Sequence, residues 1–164
     1  MSPRIGHSTN GDPLTTAKTD ALRLLKFRPR SRRELSDRLA GRGYEEETIQ
    51  AVLNELEKHR LINDAGFAKL WATNRLEQRG FGSRRVRQEL RAKGLDDALI
   101  QTTLQEVAGN ADENARASDV AQRYLRRLAG LETSARKRRL WGFLARRGFP
   151  SNVINRVIND TCKT

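Results

Sequence analysis

The sequence predicts an all-α protein, an elongated tandem array of three three-helix, helix-turn-helix-like repeats with about nine helices in all. Three observations predict it. An apolar pair, a glycine and an apolar series appear as Leu35, Leu39, Gly43, Ile49, Leu53 and Leu56; they return as Val86, Leu90, Gly94, Ile100, Leu104 and Val107, and again as Leu140, Leu144, Gly148, Ile154 and Ile158. The turn glycines stand 51 and 54 residues apart, a period that belongs to stacked supersecondary units. No segment alternates apolar and polar residues with period two, so no sheet is expected.

Residues 1–11 are polar, contain glycine and lack periodicity, and read as a mobile tail. Repeat one occupies 12–60. Asp12 and Pro13 start its first helix, which turns Leu14, Ala17, Ala21, Leu24 and Leu25 inward and must end near Arg28, ahead of Pro29. The second helix runs from about Ser31 to Ala40 with Leu35 and Leu39 inward. The third runs from about Glu45 to His59 with Ile49, Val52, Leu53 and Leu56 inward, and Glu45, Glu46 and Glu47 suit its positive N-terminal end.

Repeat two occupies 61–108. Asn63 and Asp64 offer an N-cap, Phe67, Leu70 and Trp71 form the inward face, and the helix is expected to end near Gly80. Ser83 then caps the helix carrying Val86 and Leu90, Gly94 makes a left-handed turn, and Asp96 opens the next helix. Small, polar residues between Ala108 and Asn114 mark a joint. Repeat three, 109–164 with a short C-terminal tail, puts Val120, Ala121, Tyr124, Leu125 and Leu128 on one face and breaks at Gly130. A helix with Leu140, Phe143 and Leu144 follows, and Gly148-Phe149-Pro150-Ser151 starts the last one.

With 37% hydrophobic and 32% charged residues the 164-residue chain is thin for a single large core but adequate for small helical units packed on their neighbours. Lys and Arg number 32 against 20 acidic residues, a net charge of +12, which favours polyanionic partners: nucleic acid, a nucleoprotein or an anionic membrane. Cys162 is the only cysteine, so neither a disulfide nor a cysteine-based zinc site forms within one chain, and a reducing compartment is expected. No apolar run approaches a membrane span and the start lacks the core of a signal peptide; a cytoplasmic protein is expected.

The charge is unevenly spread. Residues 21–60 and 65–107 each carry a net +3, whereas 121–150 hold nine basic residues and only Glu132 as an acid, a net +8. On a helical projection Arg84, Arg87, Gln88 and Arg91 share one side, with Val86 and Leu90 opposite. No acidic residue interrupts that row, and guanidinium forks in a row match phosphates or carboxylates. An ordinary solvated helix face is the plain alternative. In repeat three Arg136, Lys137, Arg138 and Arg139, with Arg146 and Arg147, form the stronger electrostatic anchor, assigned to folded surface because Leu140, Phe143 and Leu144 interleave at helical spacing. Trp141 lies beside this basic side; it reads first as core or inter-repeat packing, and second as a surface for stacking on a base or a partner.

Three blocks together resemble one family. LINDAGFAKLWATNRLEQRGFGSRRVRQELRAKGLDDALI, with SRRELSDRLAGRGY before it and RRLWGFLARRGFPSNVI after it, is similar to the RecX family, the bacterial regulators of the RecA recombinase; the likeness spans about Ala21 to Asn159. The resemblance implies three-helix units, no catalysis, and docking along the groove of a RecA filament on single-stranded DNA, where family members restrain strand exchange, ATP hydrolysis and co-protease activity. Independently of the resemblance, the helical projection and the charge distribution make Arg84, Arg87 and Arg91, with Arg85 and Lys93 beside them, and the repeat-three group Arg136, Lys137, Arg138, Arg139, Trp141, Arg146 and Arg147, the candidate contacts to the filament or to nucleic acid.

Catalytic and metal chemistry find no support in the sequence. His7 and His59 are the only histidines, and neither a phosphate-binding G-x-x-x-x-G-K-[ST] nor a zinc-binding H-E-x-x-H occurs. No catalytic residue, metal ligand or cofactor is therefore assigned. Two functional classes remain: a monomeric interaction protein that regulates a RecA filament, and a direct DNA binder. The acids at the starts of the third helices, Glu45 to Glu47 and Asp96 with Asp97, repel phosphate where a recognition helix would meet DNA, so weak, nonspecific DNA affinity is expected rather than sequence reading. Binding to anionic lipid ranks last, because no unpaired helix sets a sustained apolar face against charge.

Overall fold

A computed structural model describes residues 12–108 and 113–161. Among these the chain is all helical, without strands, and its helices fall into two compact units that divide after Asp64. The expected N-terminal tail, His7, Cys162 and most of the expected joint lie outside the described residues.

The first unit holds α1 (Pro13–Phe27), α2 (Arg32–Ala40) and α3 (Glu46–Lys58). Proline in the first turn of α1 gives up no hydrogen bond that the helix needs. The helix ends at Phe27, two residues ahead of Pro29. Ser31 and Glu34 form a reciprocal capping box on α2: the Ser31 hydroxyl accepts the Glu34 N–H at 3.1 Å while the Glu34 carboxylate accepts the Ser31 N–H at 3.4 Å. Ala17, Ala21, Leu35, Leu39, Ile49, Val52, Leu53 and Leu56 are fully buried around α3, as their phase on each helix requires. Leu14 is not; at 37% exposure it lies in the opening turn of α1, where a projection assumes a neighbour that the end of a helix lacks. The Tyr44 hydroxyl donates to Asp20 at 3.0 Å, and Arg42 forms an ion pair with the same carboxylate, tying the Gly43 turn back to α1.

The second unit takes in α4 (Asp64–Thr73) from Ala65 onward, its continuation as a π-helical turn over Asn74–Gln78, and α5 (Ser83–Ala92), α6 (Asp97–Ala108), α7 (Glu113–Leu125), α8 (Thr133–Arg147) and α9 (Ser151–Thr161). Phe67, Ala68, Ala72, Leu76, Val86, Leu90, Leu95, Ile100 and Leu104 make one core; Ala117, Val120, Ala121, Leu140, Leu144, Phe149, Val153, Ile154, Val157 and Ile158 make another. Leu70, expected inward, is instead 58% exposed, and Ala68 and Ala72 take the buried phase of α4. Tyr124 stacks on Phe143 with ring centroids 3.8 Å apart. The turn glycines 43, 94 and 148 adopt φ of +89°, +81° and +86°, a left-handed conformation in which a Cβ is strained.

Candidate interaction surface

The second and third repeats meet backbone to backbone. A helix leaves its first N–H groups and its last C=O groups without intrahelical partners. At the start of α5 the Gly82 N–H donates to the Arg147 carbonyl at 2.8 Å and the Arg84 N–H to the Gly148 carbonyl at 3.2 Å, so the end of α8 satisfies the beginning of α5. The Ser83 N–H and hydroxyl donate to the Glu113 carboxylate at 2.8 and 3.0 Å. Ser83 therefore does not cap its own helix: Gly82 is the N-cap residue and a carboxylate from α7 supplies the acceptor. The approach is so close that a Cβ on Gly82 would lie 2.3 Å from the Gly148 oxygen, and one on Gly148 2.3 Å from the Arg85 Cβ.

Arg147 completes this joint. Its Nη1 donates to the carbonyls of Arg79 and Gly80 at 2.7 and 3.1 Å, and its guanidinium lies 4.9 Å from the Phe143 ring centre. Burial, and then the like charges of Arg123 and Arg85, push its pKa below the ordinary arginine value. It is a structural cation, contrary to its expected place among freely exposed charges. Arg85 is likewise engaged, 3.9 Å over the Phe81 ring and hydrogen-bonded to the Arg146 carbonyl at 3.3 Å. The joint thus brings Arg85, Arg146 and Arg147 together, although 61 residues separate Arg85 from Arg146.

Glu89 is the counter-charge to Arg85 in this cluster, and to Arg75, and was not legible as such. Its half-buried carboxylate accepts from Arg75 Nε at 2.7 Å, Arg85 Nε at 3.1 Å and Trp71 Nε1 at 2.9 Å. Burial raises its pKa, but the hydrogen bonds from Arg75, Arg85 and Trp71 together outweigh burial and hold it below the ordinary glutamate value. A carboxylate depressed on folding adds stability that is fully present above its unfolded pKa, near 4.5, and is lost as the pH falls through the folded value. Acid titration of Tm is expected to show this: wild type loses more stability between neutral pH and pH of about 3 than Glu89→Gln does. Parallel acid profiles would remove Glu89 from the account. Arg75 and Lys93 each lie 4.2 Å from the Trp71 ring centre, so Lys93 is held against an aromatic surface as well.

On the solvent side of α5, Arg84, Gln88 and Arg91 are exposed and Arg87 half-exposed, while Val86 and Leu90 opposite them are fully buried. The row is not without partners, as its own helix had suggested. Arg91 pairs with Asp97 through Nε at 2.6 Å and Nη2 at 3.1 Å, which lowers the Asp97 pKa, and Arg87 donates to Gln101 at 2.7 Å. Both partners come from α6 across the Gly94 turn. Of the arginines in the row only the Arg84 side chain has neither hydrogen bond nor ion pair among the described residues.

On α8, Lys137, Arg138 and Arg139 are exposed and form no ion pair among the described residues. Arg136 differs: it is half-buried, with Nη2 donating to the Leu131 carbonyl at 3.2 Å. Trp141 packs neither in a core nor between repeats. It is 43% exposed on the wall of a groove of about 480 Å³, and its indole N–H donates to Asn155 at 3.2 Å.

Fold and surface define a class: an all-α tandem array of three-helix repeats that presents basic helix faces. The first, second and third three-helix domains of RecX match residues 17–56, 63–104 and 111–158. A regulatory protein RecX of Streptomyces lividans is 40% identical over 149 residues, covering 91% of this chain and 79% of that one. One from Mycobacterium marinum is 40% identical over 143 residues, covering 87% and 82%. The crystal structure of RecX from Lactobacillus salivarius superposes with a TM-score of 0.80 at 21% identity, covering 91% of this chain and 96% of that one, a likeness of fold. The chain belongs to the RecX family of regulatory proteins. Among the described residues no helix is long and apolar enough to cross a membrane, and no cluster of three or more metal-ligating side chains occurs.

Proposed function

We propose that this chain is a non-enzymatic regulator that docks in the groove of a RecA filament on single-stranded DNA and restrains strand exchange, ATP hydrolysis and co-protease activity. The exposed Arg84, Gln88 and Arg91 on α5, backed by the buried Val86 and Leu90, carry the reading. A rigid helix that holds guanidinium forks clear of its core suits recognition of carboxylates and phosphates together, which a protein-coated DNA strand offers. The Arg91 pair with Asp97 is solvent-exposed, and such a pair exchanges readily for a stronger anionic partner. In this reading the chain acts as a cytoplasmic monomer without a cofactor. Direct, nonspecific DNA binding is the second reading, favoured by the exposed Lys137, Arg138 and Arg139, which form no ion pair among the described residues.

The two readings separate by mutation. Replacing Arg84, Arg87 and Arg91 together by alanine is expected to abolish filament binding and RecA regulation while the fold persists, since none of the three points into a core. Replacing Arg138 and Arg139 is expected to weaken bare-DNA and filament binding together and to flatten the salt dependence by about one unit of slope per lost phosphate contact. Arg146 belongs with that pair, but Arg147 is left in place because its loss would open the joint between repeats. Normal RecA regulation by the α5 variant, or equal loss on bare DNA and filament, would defeat the docking reading and advance direct DNA binding.

A further inference from the structure

We propose that the groove between α8 and α9 is a stacking subsite for a base of single-stranded DNA, with Trp141 as its platform; the choice of strand rests on the reading of the chain as a partner of DNA-bound filament. Trp141, Lys137 and Arg138 share one side of α8, and Asn155, Ile158 and Asn159 line the facing side of α9. The indole N–H is already engaged by the Asn155 oxygen at 3.2 Å, which pins the ring to the groove wall and leaves its π face as what it offers a ligand. Such a face accepts any base. The Asn155 and Asn159 amides add donors and acceptors for a base edge, and the nearly buried Ile158 gives an apolar floor.

Charge selects the rest of the ligand. Lys137 and Arg138 are exposed and without ion pairs among the described residues, one turn from Trp141, where they meet the phosphates flanking a stacked base. A groove of about 480 Å³ lies within the usual range for small-ligand sites, roughly 300 to 1,000 Å³. A bare phosphate would leave the tryptophan idle, and a duplex keeps its bases stacked out of reach. An acidic protein surface would use the cations but not the platform. Single-stranded nucleic acid uses both.

The test uses the full chain and tryptophan emission, titrated with oligothymidylate of about 12 nucleotides, an abasic strand of equal length, the corresponding duplex, and polyglutamate. Oligothymidylate is expected to quench emission and to bind about tenfold more tightly than the abasic strand. The Trp141→Leu variant is expected to melt like wild type, lose the quenching and the tenfold preference, and keep its affinity for the abasic strand; Trp141→Phe restores most of the preference. Equal affinity of wild type for thymidylate and abasic strands would overturn the subsite, as would quenching that survives in Trp141→Leu or is matched by polyglutamate. RecA-filament binding is scored separately. Quenching by oligothymidylate in a protein that ignores the filament would uphold the subsite and overturn the docking reading, whereas loss of base preference overturns the subsite whatever the filament does.

Discussion

Gly148→Ala is expected to be among the most damaging single substitutions in the chain, destabilising the second unit by about 2 to 5 kcal/mol. Two independent effects add. The left-handed backbone at φ +86° penalises any Cβ by roughly 1 to 2 kcal/mol. The added carbon would also lie 2.6 Å from the Arg85 nitrogen and 2.9 Å from its Cα, distances that force α5 and the end of α8 apart, and overpacking of this kind adds typically 1 to 3 kcal/mol. Gly130 supplies the control, because its φ is +85° but a Cβ there would meet nothing within 4 Å. Gly130→Ala should therefore show the conformational penalty alone, and Gly82→Ala, whose backbone is ordinary, the collision alone. Urea unfolding of the three variants checks the partition; a Gly148→Ala protein as stable as Gly130→Ala would mean that the joint opens without cost.

Leu90→Ala and Leu144→Ala are each expected to cost about 2 to 5 kcal/mol. Both side chains are fully buried, Leu90 among Val86, Leu95 and Ile100 and Leu144 among Leu140, Phe149 and Ile154. The spread reflects how far each site collapses around the lost methyl groups. Thermal melting followed by circular dichroism gives the measurement, and wild-type melting in either variant would contradict the inward face assigned to that helix.

Much of the fold was legible because it is written in local periods. The inward faces of α3, α5 and α8 follow from spacing within one helix, and the three turn glycines from the left-handed backbone that stops one helix and starts the next. What was not legible depends on residues far apart in the chain. A projection of α5 sees only α5, so it shows Arg91 in a row without acids when Asp97 waits beyond Gly94, and it gives no sign that Trp71 and Arg75 converge on Glu89. Arg147 looks like one more cation in a basic run; its burial comes from Arg79 and Gly80, 68 and 67 residues upstream. Gly148 was the available signal, but turn chemistry already accounted for it. Trp141 was drawn toward packing by its size, and only the position of Asn155 on α9 shows it on an open wall.

The meeting of α8 with α5 also sets the local electric field. The carboxyl end of a helix carries about half a negative charge and the amino end about half a positive one, and here the two ends lie against each other, so these opposite partial charges largely offset at the contact. A free helix amino end is a ready site for phosphate; this one is occupied by carbonyls and by the Glu113 carboxylate. The attraction that α5 exerts on an anion therefore comes from its arginine side chains, whose reach falls with ionic strength over a Debye length of about 8 Å at physiological salt. Recognition along α5 is in this sense replaceable residue by residue, while the amino end of the helix that carries it stays electrically quiet.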